Sequence, residues 1–177
     1  MLRCLTLYQP WASLVAIGAK RIETRNWPTS HRGEIAIHAS KRWTKEETWL
    51  TLSMPFATAL GAEARWPALL KPNSSPILPL GAIVAVARLV DVLSTDYISL
   101  SHGRLTSSVY DDDDGYFPCG EHERYFGDFS PGRYAWLLTN VRRLATPVPA
   151  KGAYMLWQAD PAVESDVRAQ LAEAPHA

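Results

Sequence analysis

The segment from Gly81 to Leu93 constrains the fold of this chain most strongly. It reads GAIVAVARLVDVL and is built almost entirely from small and β-branched apolar residues. Such residues fit the pleated surface of a sheet. The segment therefore predicts a strand, and other parts of the chain must supply the strands that pair with it.

Five shorter segments on both sides of this strand also have strand character. From Ile35 to Ala39, apolar side chains occupy every second position. This alternation predicts a strand with one buried face and one exposed face. The predicted shorter strands are 2–8, 20–27, 33–40, 133–144 and 153–158.

Helix signals separate some of these strands. Pro10 suits the first turn of a short apolar helix, and Gly18 suits its end. Thr44 and Glu47 have the spacing of a capping box and predict the start of a second helix. A further helix is predicted at residues 162–172.

Two polar stretches predict loops. Residues 65–79 contain four prolines. Residues 94–132 are rich in turn-forming residues, and a loop of that length is often a lid or a binding loop. The stretch includes the four aspartates 111–114, whose spacing does not match a calcium-binding loop. We therefore interpret these aspartates as part of a solvated loop.

The order of these elements predicts an α+β fold, namely a small, partly closed β-barrel with short helices covering one end. The chain has 177 residues, of which 47% are apolar and 20% are charged. These values fit one domain with its own core. We assign residues 1–160 to that domain and residues 161–177 to a C-terminal helix or tail.

Charge and cysteine content restrict the environment of the protein. The formal net charge is zero, so any nucleic-acid contact needs a local basic patch. Cys4 and Cys119 are far apart and fit no metal-binding spacing, which favours reduced thiols and a cytoplasmic protein. The start of the chain lacks the apolar core of a signal peptide, and no apolar run is long enough for a membrane span.

The most unusual motif is a charged turn that contains Lys20, Glu23 and Arg25. Strand alternation would place Glu23 and Arg25 on one face and Lys20 on the other. Because Lys20 follows the turn at Gly18, it can also lean over Glu23. The alternative is an ordinary ion pair at an exposed strand edge, which stabilises a protein by about 0–1 kcal/mol.

Aromatic residues flank this turn on both sides. Tyr8, Trp11 and Trp27 could be core residues or could stack on a nucleobase. Gln9 offers both a donor and an acceptor to the edge of a base. A lone histidine such as His38 is more often structural, but its titration range makes it a candidate. Basic residues that could form a patch are Lys41, Arg42, Lys45, Arg142 and Arg143.

Three segments of the chain resemble the ASCH-domain family, whose members are relatives of the PUA domain. These segments are LYQPWASLVAIGAKRIETRNWP (7–28), RGEIAIHASKRW (32–43) and FGDFSPGRYAWLLTNVRRL (126–144). The resemblance implies a PUA-like β-barrel with a cleft near the first helix and the turn at Lys20. It also implies recognition of RNA or of a nucleotide.

Some bacterial ASCH proteins resemble amidohydrolases that remove the acyl group from N4-acetylcytidine. In those enzymes a Gly-x-Lys turn supplies a lysine, a threonine follows three residues later, and a later strand supplies a glutamate. Lys20 matches this lysine, whereas Glu23 stands at the position of the threonine and Thr24 is one place off. The late strand has no glutamate, and its first carboxylate is Asp91.

The resemblance favours an amidohydrolase in which Glu23 activates water and Lys20 stabilises the oxyanion or donates a proton. We predict no metal, no cofactor and no obligatory protein partner, and a modified nucleoside or RNA as ligand. The alternative is a non-catalytic RNA-binding module, and a ribonuclease that uses His38 and Lys20 is a weaker third. The predicted substrate-binding residues are Tyr8, Gln9, Trp11, Arg25, Trp27, His38, Ser40 and Lys41.

Overall fold

The structure is a computed structural model that describes residues 1–61, 78–107 and 115–173. Short 3-10 turns lie at Thr95–Tyr97 and Glu123–Tyr125. The strands and helices in chain order are β1 (Arg3–Leu7), α1 (Trp11–Ala16), β2 (Ile22–Arg25), β3 (Gly33–Ala39), α2 (Lys45–Leu52), α3 (Phe56–Leu60), β4 (Ala82–Ser94), β5 (Ile98–Ser101), β6 (Arg104–Ser107), β7 (Tyr116–Pro118), β8 (Tyr134–Pro149), β9 (Leu156–Gln158) and α4 (Pro161–Glu173).

Within the described residues, the main sheet has six strands in the order β2-β8-β4-β3-β1-β9, and only the β1–β3 pair is parallel. The pairing of β4 with β8 shifts register at three places. Such irregularities bend strands and increase their twist. The sheet consequently curls into a half-barrel, which confirms the predicted α+β fold class.

Helices cover both faces of this sheet. On one face, Val15 of α1 packs with Ile35 and Ile37 of β3. On the other face, Val167 and Leu171 of α4 pack in one cluster with residues that include Ala36. All side chains from 35 to 39 are therefore buried. The prediction that this strand has an exposed face was wrong, because a helix covers that face as well.

The polar stretch 94–132 contains a second sheet instead of one long loop. Strands β5, β6 and β7 form this antiparallel sheet. Its residue Leu105 packs in a cluster with Ile22 of β2 and Leu137 of β8. The loop prediction was wrong. The alternation of buried and exposed residues in these short strands was not recognised, because turn-forming residues dominate the composition of the stretch. The aspartates 111–114 and most of the proline-rich stretch 65–79 lie outside the described residues.

The predicted helix ends are confirmed. Thr44 and Glu47 form the capping box at the start of α2. Gly18 adopts a φ of +76°, a conformation that glycine reaches at low cost, and the chain reverses there. After this reversal the amide of Lys20 donates to the carbonyl of Leu14, 3.0 Å away. The reversal thus places Lys20 directly beneath α1, and its side chain is buried.

Candidate functional site

An open cleft of 1480 Å³ lies on the α1 side of the half-barrel. Its walls come from β1, β2 and β3, from the turn before β8, and from the segment between β8 and β9. Three predicted site residues, Gln9, Lys20 and Trp27, are absent from its lining. The predicted residues that do line it are Tyr8, Trp11, Glu23, Arg25, His38, Ser40 and Lys41.

Glu23 and Arg25 form an ion pair at the β2 side of the cleft. Arg25 Nε lies 3.1 Å from Glu23 Oε1, and Arg25 Nη2 donates to the carbonyl of Thr6 at 2.7 Å. Only 8% of Glu23 is exposed. This burial rules out the alternative of an ordinary exposed ion pair and gives the cleft a fixed carboxylate.

Lys20 lies behind the cleft, against the inner side of Glu23. Its Nζ donates to the carbonyls of Ile22 and Phe126 and lies 3.4 Å from Glu23 Oε2. Two of the three N–H donors of the ammonium group thus meet carbonyl oxygens, and Glu23 is its ion-pair partner. Lys20 and Glu23 are thus adjacent, as predicted, but Lys20 supports the carboxylate and does not line the cleft.

Glu123 completes this buried cluster, and sequence reasoning missed it. Its carboxylate oxygens accept hydrogen bonds from the amides of Arg21 and Ile22 at 2.8 and 3.0 Å. Burial raises the pKa of Glu123, although the nearby charge of Lys20 lowers it. Glu123 comes from a 3-10 turn 103 positions after Lys20 in a polar stretch, so no local pattern marked it.

A second ion pair lies beside the first at the same side of the cleft. Arg133 Nε lies 3.4 Å from Asp128 Oδ2 and donates to the Asp128 carbonyl at 3.0 Å. Hydrogen bonds from Ser130 lower the pKa of the Asp128 carboxyl. Thr24 Oγ1 accepts a hydrogen bond from the Asp128 amide at 3.0 Å, which fixes this turn against β2.

Tyr8 and Trp11 are the predicted aromatic residues that reach the cleft. Trp11 packs edge-on against Phe56 of α3, with ring centroids 6.1 Å apart. Tyr8 is exposed, and the guanidinium of Arg42 lies 4.7 Å from its ring centroid. Tyr8 therefore offers an aromatic surface at the mouth of the cleft, whereas Trp11 forms part of its wall.

Trp27 and Gln9 do not line the cleft and contact other parts of the protein instead. Trp27 is partly buried and packs edge-on against the buried Trp136 with a centroid distance of 4.7 Å, so it lies against the core. Gln9 is buried, donates to the carbonyl of Pro79 at 2.8 Å and accepts from the amide of Ser13 at 3.1 Å. Of the two tryptophans predicted as substrate-binding residues, Trp11 lines the cleft and Trp27 does not.

The opposite end of the cleft is formed where β3 and β8 flank the start of β4. The amide of Ala150 donates to the carbonyl of Gly81 at 3.0 Å, which brings the end of β8 beside β4. Lys41 follows β3 and Lys151 follows β8, and both line the cleft. Neither lysine has an ion-pair partner among the described residues.

Tyr154, which sequence reasoning also missed as a site residue, lies on the same side as these lysines. It is 98% exposed and lines the cleft. The predicted strand 153–158 begins only at Leu156, and Met155 adopts a φ of +58° just before it. Because the sequence prediction placed Tyr154 in a strand, it gave no reason to expect a fully exposed ring here.

In the described parts of the chain, no three His, Cys, Asp or Glu side chains are grouped so that they could hold a metal ion. Within the same ranges, no helix is both long enough and apolar enough to cross a membrane.

The curled sheet with its lateral cleft defines an α+β half-barrel protein. The ASCH domain model matches residues 5–147, and the chain belongs to this family. Activating signal cointegrator 1 from mouse and from human are each 24% identical to it over 168 residues. These matches cover 95% of this chain but 24% of each relative, so the chain spans about a quarter of their length.

Solved structures of an ASCH protein from Zymomonas mobilis are similar to this chain over most of its length. The first has a TM-score of 0.47 at 12% identity and covers 94% of this chain and 93% of its own. A serine-to-alanine mutant of that protein has the same TM-score at 13% identity, and the match covers 94% of both chains.

Proposed function

We propose that this protein binds single-stranded RNA and holds one nucleobase of the strand in the cleft. The observation that carries this proposal is the pair of lysines, Lys41 and Lys151, beside the exposed rings of Tyr8 and Tyr154. Unpaired cations attract phosphates, and aromatic rings stack on bases regardless of sequence.

The zero net charge of the chain does not oppose this proposal. At the β2 side of the cleft, Arg25 and Arg133 are each compensated by a carboxylate. At the other side, Lys41 and Lys151 have no ion-pair partner among the described residues and contribute about two positive charges. A strand that binds here thus meets a local basic patch, although the whole chain is neutral.

The proposal is tested by measuring the affinity of a labelled single-stranded RNA 12-mer at several salt concentrations. Each lost phosphate contact lowers the salt slope of a single strand by about 0.7. We expect the double variant Lys41→Ala/Lys151→Ala to bind more weakly, with a slope that is lower by about 1.4. Lys45→Ala is the control, since Lys45 does not line the cleft. An unchanged slope in the double variant refutes the proposal.

Hydrolysis of an N4-acyl group on cytidine is a second candidate function, and the position of Glu23 favours it. This carboxylate faces the cleft and lies between two cations, Lys20 and Arg25. It could activate a water molecule for attack on an amide bound in the cleft. Lys20 would then act as a positioning residue, because its donors already meet protein oxygens.

Incubation with N4-acetylcytidine, followed by chromatography for free cytidine, tests this second candidate. Glu23→Gln preserves the shape of the side chain but cannot act as the base, so it should abolish any turnover. Glu46→Gln is the matched control, because Glu46 is an exposed carboxylate on α2 outside the cleft. No cytidine from the wild type, or equal turnover by Glu23→Gln, eliminates this candidate.

A further inference from the structure

A second, smaller pocket adjoins the cleft and has a volume of 420 Å³. It lies where the turn between β5 and β6 meets the segment that follows β7. Tyr125 lines both this pocket and the cleft, and 55% of Tyr125 is exposed. The two cavities therefore meet at an exposed aromatic residue.

The position of this pocket is fixed relative to the cleft. The amide of Cys119 donates to the carbonyl of Gly103 at 2.7 Å, and a Cβ atom at position 103 would lie 2.9 Å from the carbonyl oxygen of Cys119. Glycine thus lets the two segments of the pocket meet closely. Glu123, which lines the pocket, accepts hydrogen bonds from the amides of Arg21 and Ile22. Because β2 begins at Ile22 and forms a wall of the cleft, these hydrogen bonds tie the pocket to that wall.

Two exposed arginines, Arg104 and Arg124, line the pocket. Neither has an ion-pair partner among the described residues. The guanidinium of Arg124 lies 5.3 Å from the ring centroid of Tyr125. An arginine that stacks on a ring keeps its N–H edge free for a phosphate.

The carboxylates of the pocket do not cancel this charge. Glu121 is exposed, but it is one carboxylate beside two arginines. The carboxylate of Glu123 is buried and meets backbone amides, with the charge of Lys20 nearby. The exposed charge of the pocket is therefore positive on balance, which suits an anionic ligand.

We propose that the RNA strand in the cleft continues past Tyr125 into this pocket, where Arg104 and Arg124 contact its phosphates. This inference rests on the proposed RNA binding and adds a second contact region for the same strand. Tyr125 stacks on a base between the two regions, because an exposed ring accepts any base. The guanidinium groups hold the phosphates that follow, since their paired N–H donors match phosphate oxygens.

The test measures the affinity of a labelled single-stranded RNA 12-mer at several salt concentrations. We expect Arg104→Ala/Arg124→Ala to bind more weakly, with a salt slope lower by about 1.4 for two lost phosphate contacts. The melting temperature should stay unchanged, because both side chains are exposed. Arg3→Ala/Arg88→Ala is the matched control, since these exposed arginines line neither the cleft nor the pocket. An equal fall of the slope in this control refutes a specific role of the pocket.

A combined variant shows whether one strand reaches both regions. The wild type should bind one 12-mer per protein, and Lys41→Ala/Lys151→Ala/Arg104→Ala/Arg124→Ala should have a slope lower by about 2.8, because separate contacts on one strand add. Two bound 12-mers per wild-type protein, with each pair of substitutions weakening only one of them, would refute the continuous path.

The outcomes separate this inference from the proposal on which it rests. If the lysine pair lowers the slope and the arginine pair leaves it unchanged, RNA binding in the cleft stands and the role of the pocket is refuted. If only the arginine pair lowers the slope, binding in the cleft is refuted and the continuous path with it. If the wild type binds no 12-mer, both proposals are refuted together.

Discussion

The two ends of the cleft both contain charged side chains but differ in how these charges are paired. At the β2 end, Glu23 is paired with Arg25, and Asp128 is paired with Arg133. Lys20 supports Glu23 from inside the protein. At the other end, Lys41 and Lys151 have no ion-pair partners among the described residues. The ring of Tyr154 beside them is exposed. Charge is thus compensated internally at one end and left available at the other.

This difference shows which charges can bind a ligand. A buried cation whose donors already meet protein oxygens holds the structure together, because its removal leaves buried carboxylates uncompensated. An exposed cation adds little to stability but can meet a phosphate. Substitutions at the β2 end should therefore change mainly the free energy of unfolding, and those at the open end mainly the affinity for RNA.

The largest effect is expected for Lys20→Met at the β2 end. This change leaves Glu123 without its nearby cation and Glu23 with Arg25 as its ion-pair partner, which should lower the free energy of unfolding by about 3–5 kcal/mol. Denaturant unfolding measures this loss. The exposed Lys45 provides the control, since Lys45→Met should change stability by less than about 0.5 kcal/mol. A loss below about 1 kcal/mol for Lys20→Met would contradict the structural role.

Tyr154→Ala at the open end should affect affinity without affecting stability. Loss of one stacked base lowers the binding free energy by about 1–3 kcal/mol, which titration with single-stranded RNA can measure. The melting temperature should stay unchanged, because this ring is exposed. Tyr116→Ala on the small sheet is the matched control. Equal affinity losses in both variants would show that Tyr154 has no special role.

Thr24→Val is expected to have a smaller effect at the β2 end. It removes the acceptor of the Asp128 amide while keeping the shape of the side chain, so the free energy of unfolding should fall by about 1 kcal/mol. Thr24→Ser keeps the hydroxyl and should lose less. If the two variants unfold at the same denaturant concentration, this hydrogen bond does not stabilise the turn.

Glu123 should make the stability of the β2 end depend on pH. Burial raises its folded-state pKa above the ordinary value of 4.5, so the folded protein binds more protons than the unfolded chain above that pH. The free energy of unfolding should therefore decrease as pH rises above 4.5, by at most about 1.4 kcal/mol per pH unit for one proton. Glu123→Gln should lack this contribution in unfolding curves measured across that range, and an identical pH profile would argue against it.

His38 should have the opposite pH dependence at the open end. Burial lowers its folded-state pKa below 6.5, so the folded protein binds fewer protons than the unfolded chain just below that pH. Its contribution to stability is present above pH 6.5 and is lost as pH falls through the folded-state pKa. Comparison of wild type with His38→Phe between pH 7 and pH 4 isolates this effect. A variant with the same acid sensitivity as the wild type would exclude His38 as its source.

Local patterns in the sequence determined β4, the end of α1 and the start of α2. The apolar run in β4, the capping box at Thr44 and the glycine at position 18 act within a few residues of one another, so their effect can be read from spacing alone. The charged turn from Lys20 to Arg25 was located correctly for the same reason. The three sequence segments that resemble the ASCH family also indicated the fold class and the position of the cleft.

Tertiary structure decided what each of these residues does. Whether β3 has an exposed face depends on α4, which lies more than 120 positions later. Lys20 is buried because Glu123 and the carbonyl of Phe126 come to it from a distant turn. Trp27 lies against the core because Trp136 packs against it. Burial and ion pairing depend on partners that are distant in the chain, and local spacing carries no information about them.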